Sequence, residues 1–119
     1  LDNGAFEVLH GFDETLICGL ALGALASVGS TYNYIPHIYL NILKSMESND
    51  VETARAFQMQ SVEMVKIIIL YGGGVRGGKA IMNLMGIECG SCRPPFAAFE
   101  KEEYDALREN LRGVGLLVK

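Results

Sequence analysis

Cysteine and proline are scarce in this 119-residue chain, and no cluster of positive charge occurs along it. Three cysteines are an odd number and too few for the disulfide framework of a small secreted domain, so a reducing compartment is the simpler setting. Ten basic against fourteen acidic residues leave a net charge of -4. Nucleic-acid binding runs on phosphate neutralisation, which a mildly acidic chain without a basic patch does not supply. Long apolar runs are missing as well. The stretch 16–29 is broken by Gly19, Gly23 and Gly29 and is shorter than the roughly 20 residues a membrane helix needs. Glu63 and Lys66 interrupt the run that contains Ile67 to Leu70. No charged head followed by an apolar stretch and a cleavage site opens the chain, which points to a cytoplasmic protein with no membrane partner. What is present is half hydrophobic and one-fifth charged, the balance of one globular domain.

Periodicity organises the rest. Phe6 to Gly11 reads as a short strand, and Asp13 and Glu14 then suit the start of a helix running from Thr15 to Leu22. Leu25 to Gly29 reads as a second strand, small enough in its side chains to be buried on both faces of a parallel sheet. A polar loop, Ser30 to Asn33, follows it directly. Ile35, Ile38, Tyr39, Ile42, Leu43 and Met46 fall at helical spacing, with Pro36 near the helix start. Asp50 can cap the next helix, predicted from Val51 to Tyr71 and broken by Gly72-Gly73-Gly74. Further helices are expected over Gly78–Met85 and Glu100–Leu111, the latter with Tyr104, Leu107 and Leu111 on one side. A Pro-containing loop from Cys89 to Phe99 separates them. Strand, helix, strand, helix is the βαβ grammar of a parallel sheet. Two parallel strands would leave open edges, so the pattern is expected to be the end of a larger α/β protein, and a first residue that is leucine fits that expectation.

Two stretches at the strand ends carry a family resemblance. Gly11-Phe12-Asp13-Glu14 and, after a similar spacing, Gly29-Ser30-Thr31-Tyr32-Asn33 resemble the N-acetylneuraminate lyases, or sialic acid aldolases, of the dihydrodipicolinate synthase superfamily. Gly77-Gly78-Lys79-Ala80-Ile81-Met82 and Cys92-Arg93-Pro94-Pro95-Phe96 resemble the later helical region of the same family. The resemblance implies the C-terminal part of a (β/α)8 TIM barrel, strands seven and eight in residues 1–48, followed by a three-helix extension in 49–119. It places both motifs at the C-terminal ends of strands, where barrel active sites lie. It also implies a homotetramer, a sugar acid as substrate, and a lysine Schiff base without metal or cofactor. In the family that lysine is on strand six, and the pyruvate-carboxylate loop and catalytic tyrosine lie earlier. None of Lys44, Lys66, Lys79, Lys101 and Lys119 falls at that position, so the catalytic lysine is expected from an N-terminal portion carrying the first six strands.

Each singled-out residue has two readings. Asp13 and Glu14 are either a helix cap with a favourable dipole charge or, by the resemblance, acceptors for hydroxyls on the polyol tail of the opened sugar. Ser30 either bonds to its local backbone or binds that tail, and the Gly11 carbonyl is a further acceptor. Val75 stands where the family often has an aromatic at the distal edge of the pocket. Cys89 and Cys92 have CxxC spacing, but without a second pair they read as a structural loop rather than a redox or zinc site. His10 is expected against the barrel wall or a neighbouring strand, and His37 on a helix surface. The rivals to the lyase reading are another pyruvate-dependent class I aldolase or synthase of the superfamily, and a non-catalytic helical interaction fragment.

Overall fold

The computed structural model describes residues 2–116, among which there are two short strands and five α-helices. Strand β1 (Leu9–His10) and strand β2 (Ala26–Ser27) pair in parallel, Leu9 opposite Ala26 and His10 opposite Ser27. Helix α1 (Leu16–Ala21) connects them, and the Val28 amide extends the ladder to the His10 carbonyl at 2.9 Å. The predicted βαβ crossover is therefore present. The strands are shorter than the predicted 6–11 and 25–29, and their apolar residues are not buried on both faces. Val8, Leu9, Leu25 and Val28 are all more than half exposed, because only one ladder pairs the two strands among the described residues.

The chain divides into two compact units, residues 1–62 and 63–119, with the boundary inside helix α3 (Val51–Leu70). In the first unit, helix α2 (Pro36–Glu47) begins with its proline at the first helical position, where a missing N–H costs nothing. Its inward face carries Ile38, Tyr39 and Ile42, and α1 packs against it. Asp50 caps α3 through its carboxylate, which accepts the Thr53 amide at 3.0 Å and is held below the usual carboxylate range by Thr53. Ser30 to Asn33 is a single turn of 3-10 helix rather than the predicted loop.

The second unit corrects the reading of the glycine run. Left-handed backbone at Gly72 and Gly73, φ 88 and 78, ends α3, and helix α4 (Gly73–Leu84) begins at once with Gly74 inside it. Glycine weakens a helix interior by about 1 kcal/mol, but here it permits close packing. A β-carbon on Gly77 would stand 3.1 Å from the Ile68 carbonyl oxygen of the facing helix. Helix α5 (Lys101–Gly113) starts on a capping box formed by Glu100 and Glu103 and buries Leu107 and Leu111 completely. Between α4 and α5 the chain is irregular, and Lys79 and Arg76 hold it. Lys79 Nζ donates to the Cys89 and Ser91 carbonyls at 3.1 Å each. Arg76 donates to the Ala97 and Ala98 carbonyls and pairs with both oxygens of Glu103.

Candidate functional site

The parallel register brings the C-terminal ends of β1 and β2 side by side, and with them most of the residues singled out by sequence. Gly11 follows β1 directly. It is exposed, with open space where a side chain would stand, and it borders an open groove of about 580 Å³ along Phe6–Gly11 and Gly19–Leu25. Asp13 and Glu14 follow in a turn of 3-10 helix, Asp13–Thr15, that leads into α1. Gly29, Ser30 and Thr31 leave β2 next to them.

Asp13 is buried, and its carboxylate does not cap the helix that follows it, contrary to the capping alternative. Its Oδ2 accepts the Thr31 hydroxyl at 2.5 Å and the Thr31 amide at 3.2 Å. Because Thr31 has one hydroxyl proton and spends it on Asp13, the 2.5 Å contact between Thr31 Oγ1 and Tyr39 Oη must be donated by the phenol. A chain of donors thus runs from Tyr39 on α2 through Thr31 to Asp13. Burial pushes the Tyr39 phenol up to about 12, with the Asp13 charge adding to the rise and the Thr31 contact opposing it. Asp13 Oδ1 faces Gly29 so closely that a β-carbon there would collide with it. Glycine at 29 is therefore required by space, since its φ of -164 is open to any residue.

Tyr32 and Tyr34 surround this pin. Both hydroxyls are buried without a hydrogen-bond partner, and burial raises both phenols above their ordinary value. Ser27 stands toward Tyr32 and Ser30 toward Tyr34, outside hydrogen-bond geometry. Tyr32 also packs against Tyr39, with ring centroids 4.0 Å apart and planes tilted by 46°.

Glu14 is half-buried, and Ser30 is exposed with its hydroxyl facing the Tyr34 phenol. They supply an acceptor and a donor-acceptor at the paired strand ends. Val75 is on α4 in the second unit, exposed, with its carbonyl 3.9 Å from Cys92 Sγ. Lys44, Lys66, Lys79 and Lys101 all lie on helices, and Lys119 lies outside the described residues. His10 turns toward its own strand end, its Nε2 2.9 Å from the Phe12 carbonyl and 3.1 Å from Thr15 Oγ1, and His37 is exposed on α2. The three cysteines are free thiols.

Thr31, Tyr39 and Gln58 hold this arrangement through hydrogen bonds that the sequence reading did not assign to them. Signals for two of them existed. Tyr39 puts a hydroxyl among the inward isoleucines of α2, and a buried phenol asks for a partner. Gln58 lies between Ala54 and Ser61 on the buried stripe of α3, a polar amide where the spacing calls for an apolar side chain.

A parallel βαβ crossover whose polar residues gather at the strand C-termini, continued by packed helices, defines an α/β fold. The chain belongs to the dihydrodipicolinate synthetase family, whose model matches residues 3–113. Within that family it is similar to N-acetylneuraminate lyases. It is 31% identical over 102 residues to that of Rhizobium meliloti, covering 86% of this chain and 34% of the relative. It is 38% identical over 98 residues to that of Rattus norvegicus, covering 82% and 31% respectively. The solved Proteus mirabilis N-acetylneuraminate lyase superposes with a TM-score of 0.90 at 30% identity, over 98% of this chain and 39% of that one. The chain spans about a third of the length of the curated relatives it matches.

Proposed function

We propose that this chain is the C-terminal portion of an aldolase that reversibly cleaves N-acetylneuraminate to N-acetylmannosamine and pyruvate. The observation that carries this reading is the juxtaposition of two strand ends, with Asp13 locked between Gly29 and Thr31 and with Glu14 and Ser30 beside it. In this reading β1 and β2 are barrel strands seven and eight, residues 1–48 complete the barrel, and 49–119 form the helical extension. The preceding six strands cover the exposed Val8, Leu9, Leu25 and Val28 and supply the Schiff-base lysine. The assembled enzyme is a cytoplasmic homotetramer.

The chemistry divides accordingly. A lysine amine of the preceding portion attacks the keto carbon, the keto oxygen leaves as water, and the resulting iminium takes up the electron pair of the carbon–carbon bond as it breaks. This chain binds the other end of the substrate. The Gly11 carbonyl and Glu14 carboxylate accept hydrogen bonds from the polyol hydroxyls, and Ser30 donates or accepts one. Asp13 contributes through Oδ1 alone, since Oδ2 is committed to Thr31. By the family resemblance Val75 occupies a position often held by an aromatic, and its smaller side chain would loosen contacts to the substrate's tail.

The test is to express the chain with and without the six-strand portion and to trap pyruvate with borohydride. The chain alone should give no adduct, and the joined protein should give one and cleave N-acetylneuraminate. An adduct on any lysine of the isolated chain, or a joined protein that traps pyruvate but cleaves only other keto acids, would overturn the reading. The second outcome would favour another aldolase of the superfamily.

A further inference from the structure

Helix α1 starts without a cap of its own: Thr15 precedes its first residue and makes no side-chain capping bond. One of its free N–H groups is nevertheless satisfied from far away in sequence. The Ile17 amide donates to Gln58 Oε1 at 3.0 Å, and Gln58 Nε2 donates to the Asp13 carbonyl at 3.1 Å. The two ends of one buried amide thus hold the backbone on both sides of Glu14. Its orientation is unambiguous, because turning it over would set acceptor against the Asp13 carbonyl and donor against the Ile17 N–H. Ser61 fixes it further. The Ser61 hydroxyl donates to the Gln58 backbone carbonyl at 2.8 Å and accepts from Nε2 at 2.5 Å.

We infer that Gln58 is a positioning residue for Glu14: it clamps the turn from which the Glu14 carboxylate reaches the substrate's polyol tail, and so contributes to selectivity for a hydroxylated sugar over a short aldehyde. The inference rests on the proposed aldolase reading and extends it to a helix that the reading treats as scaffold. Gln58 touches no substrate. Its effect passes through the backbone of residues 13–17: His10 and Thr15 hold the turn at the Phe12 carbonyl and Thr31 holds the Asp13 carboxylate, so loss of the amide loosens the turn at the Asp13 carbonyl and the Ile17 amide.

The test uses the full-length enzyme carrying Gln58→Met, which keeps the volume and removes both bonds. Gln58→Asn is the second variant, too short to span both backbone groups while keeping an amide. Three rates are compared: cleavage of N-acetylneuraminate, condensation of pyruvate with a short aldehyde that lacks hydroxyls, and borohydride trapping of pyruvate. Both variants should lose about ten- to a hundredfold in kcat/KM for N-acetylneuraminate, mainly through KM, with the other two rates unchanged. Hydrogen exchange at the Ile17 amide should quicken in both. Equal loss of all three rates would reduce Gln58 to a fold support and overturn the inference. Glu14→Ala separates the two levels. If it shows the selective loss and the Gln58 variants do not, the inference falls and the aldolase reading stands. If neither shows it, both fall.

Discussion

Residues 6–31 and residues 63–113 hold themselves in different ways. The later helices carry their instructions locally: a capping box at Glu100, i,i+3 ion pairs such as Arg108–Asp105 and Arg112–Glu109, and an inward row of leucines on α5. The strand region has almost none of this. Its strands are two residues long, its short helix borrows a cap from Gln58, and its one buried carboxylate is held by a residue 18 positions on. It also presents Phe6, Val8, Leu9, Leu25 and Val28 to solvent. In the proposed reading, further strands and a ligand complete this region, whose bonding groups its own sequence neighbours do not satisfy. A helical scaffold can close on itself.

The contrast predicts a graded set of effects in the full-length enzyme. The largest belongs to the scaffold. Leu111→Ala should cost about 2–5 kcal/mol in urea denaturation, since a fully buried leucine leaves a cavity. Its KM for N-acetylneuraminate should stay at the wild-type value, and a shifted KM would mean the helices do more than support. Next comes Asp13→Ala. It leaves the Thr31 amide and hydroxyl without their buried acceptor, so it should cost about 1–3 kcal/mol and also depress sialic acid cleavage. Glu14→Ala should depress cleavage with no shift in the urea midpoint. If Asp13→Ala and Glu14→Ala behave alike in both assays, the division between a pinning and a binding carboxylate is wrong.

Ser30→Ala is smaller. Loss of one neutral hydrogen bond to the substrate should lower kcat/KM by roughly 2- to 13-fold while pyruvate trapping is unchanged. The smallest effect is confined to alkaline pH. Tyr39 is held protonated by burial, with its value raised from 10.0 to about 12. A phenol whose folded value lies above its unfolded one stabilises the fold fully below pH 10.0, and that contribution is lost as pH rises toward about 12. Urea midpoints measured across that range should fall, and Tyr39→Phe should fall less steeply. An equally steep fall in the variant would place the alkaline sensitivity elsewhere.

Local signals were legible in proportion to how local their physics is. Pro36 at a helix start and Asp50 as a cap act within one turn, and both stand where their residue types imply. The run Gly72-Gly73-Gly74 does break α3, through left-handed backbone at Gly72 and Gly73, but the next helix starts at Gly73 rather than Gly78. Gly74 and Gly77 lie inside that helix, and Gly77 lets it approach Ile68. Asp13 read equally well as a cap, since acid before a helix is the usual capping pattern, and only the neighbouring strand end could say otherwise.

From sequence alone came the βαβ order, the helical continuation, and the two motifs whose spacing resembles a sialic acid aldolase. These follow from periodicities and turn residues, which are properties of short segments. Tertiary structure decided which carboxylate is committed and which is free. Strand register set Asp13 against Gly29 and Thr31, α2 supplied the Tyr39 donor, and α3 supplied Gln58 from more than forty residues away. Hydrogen bonds between residues so distant in sequence exist only after packing has brought the elements together, so no short segment encodes them.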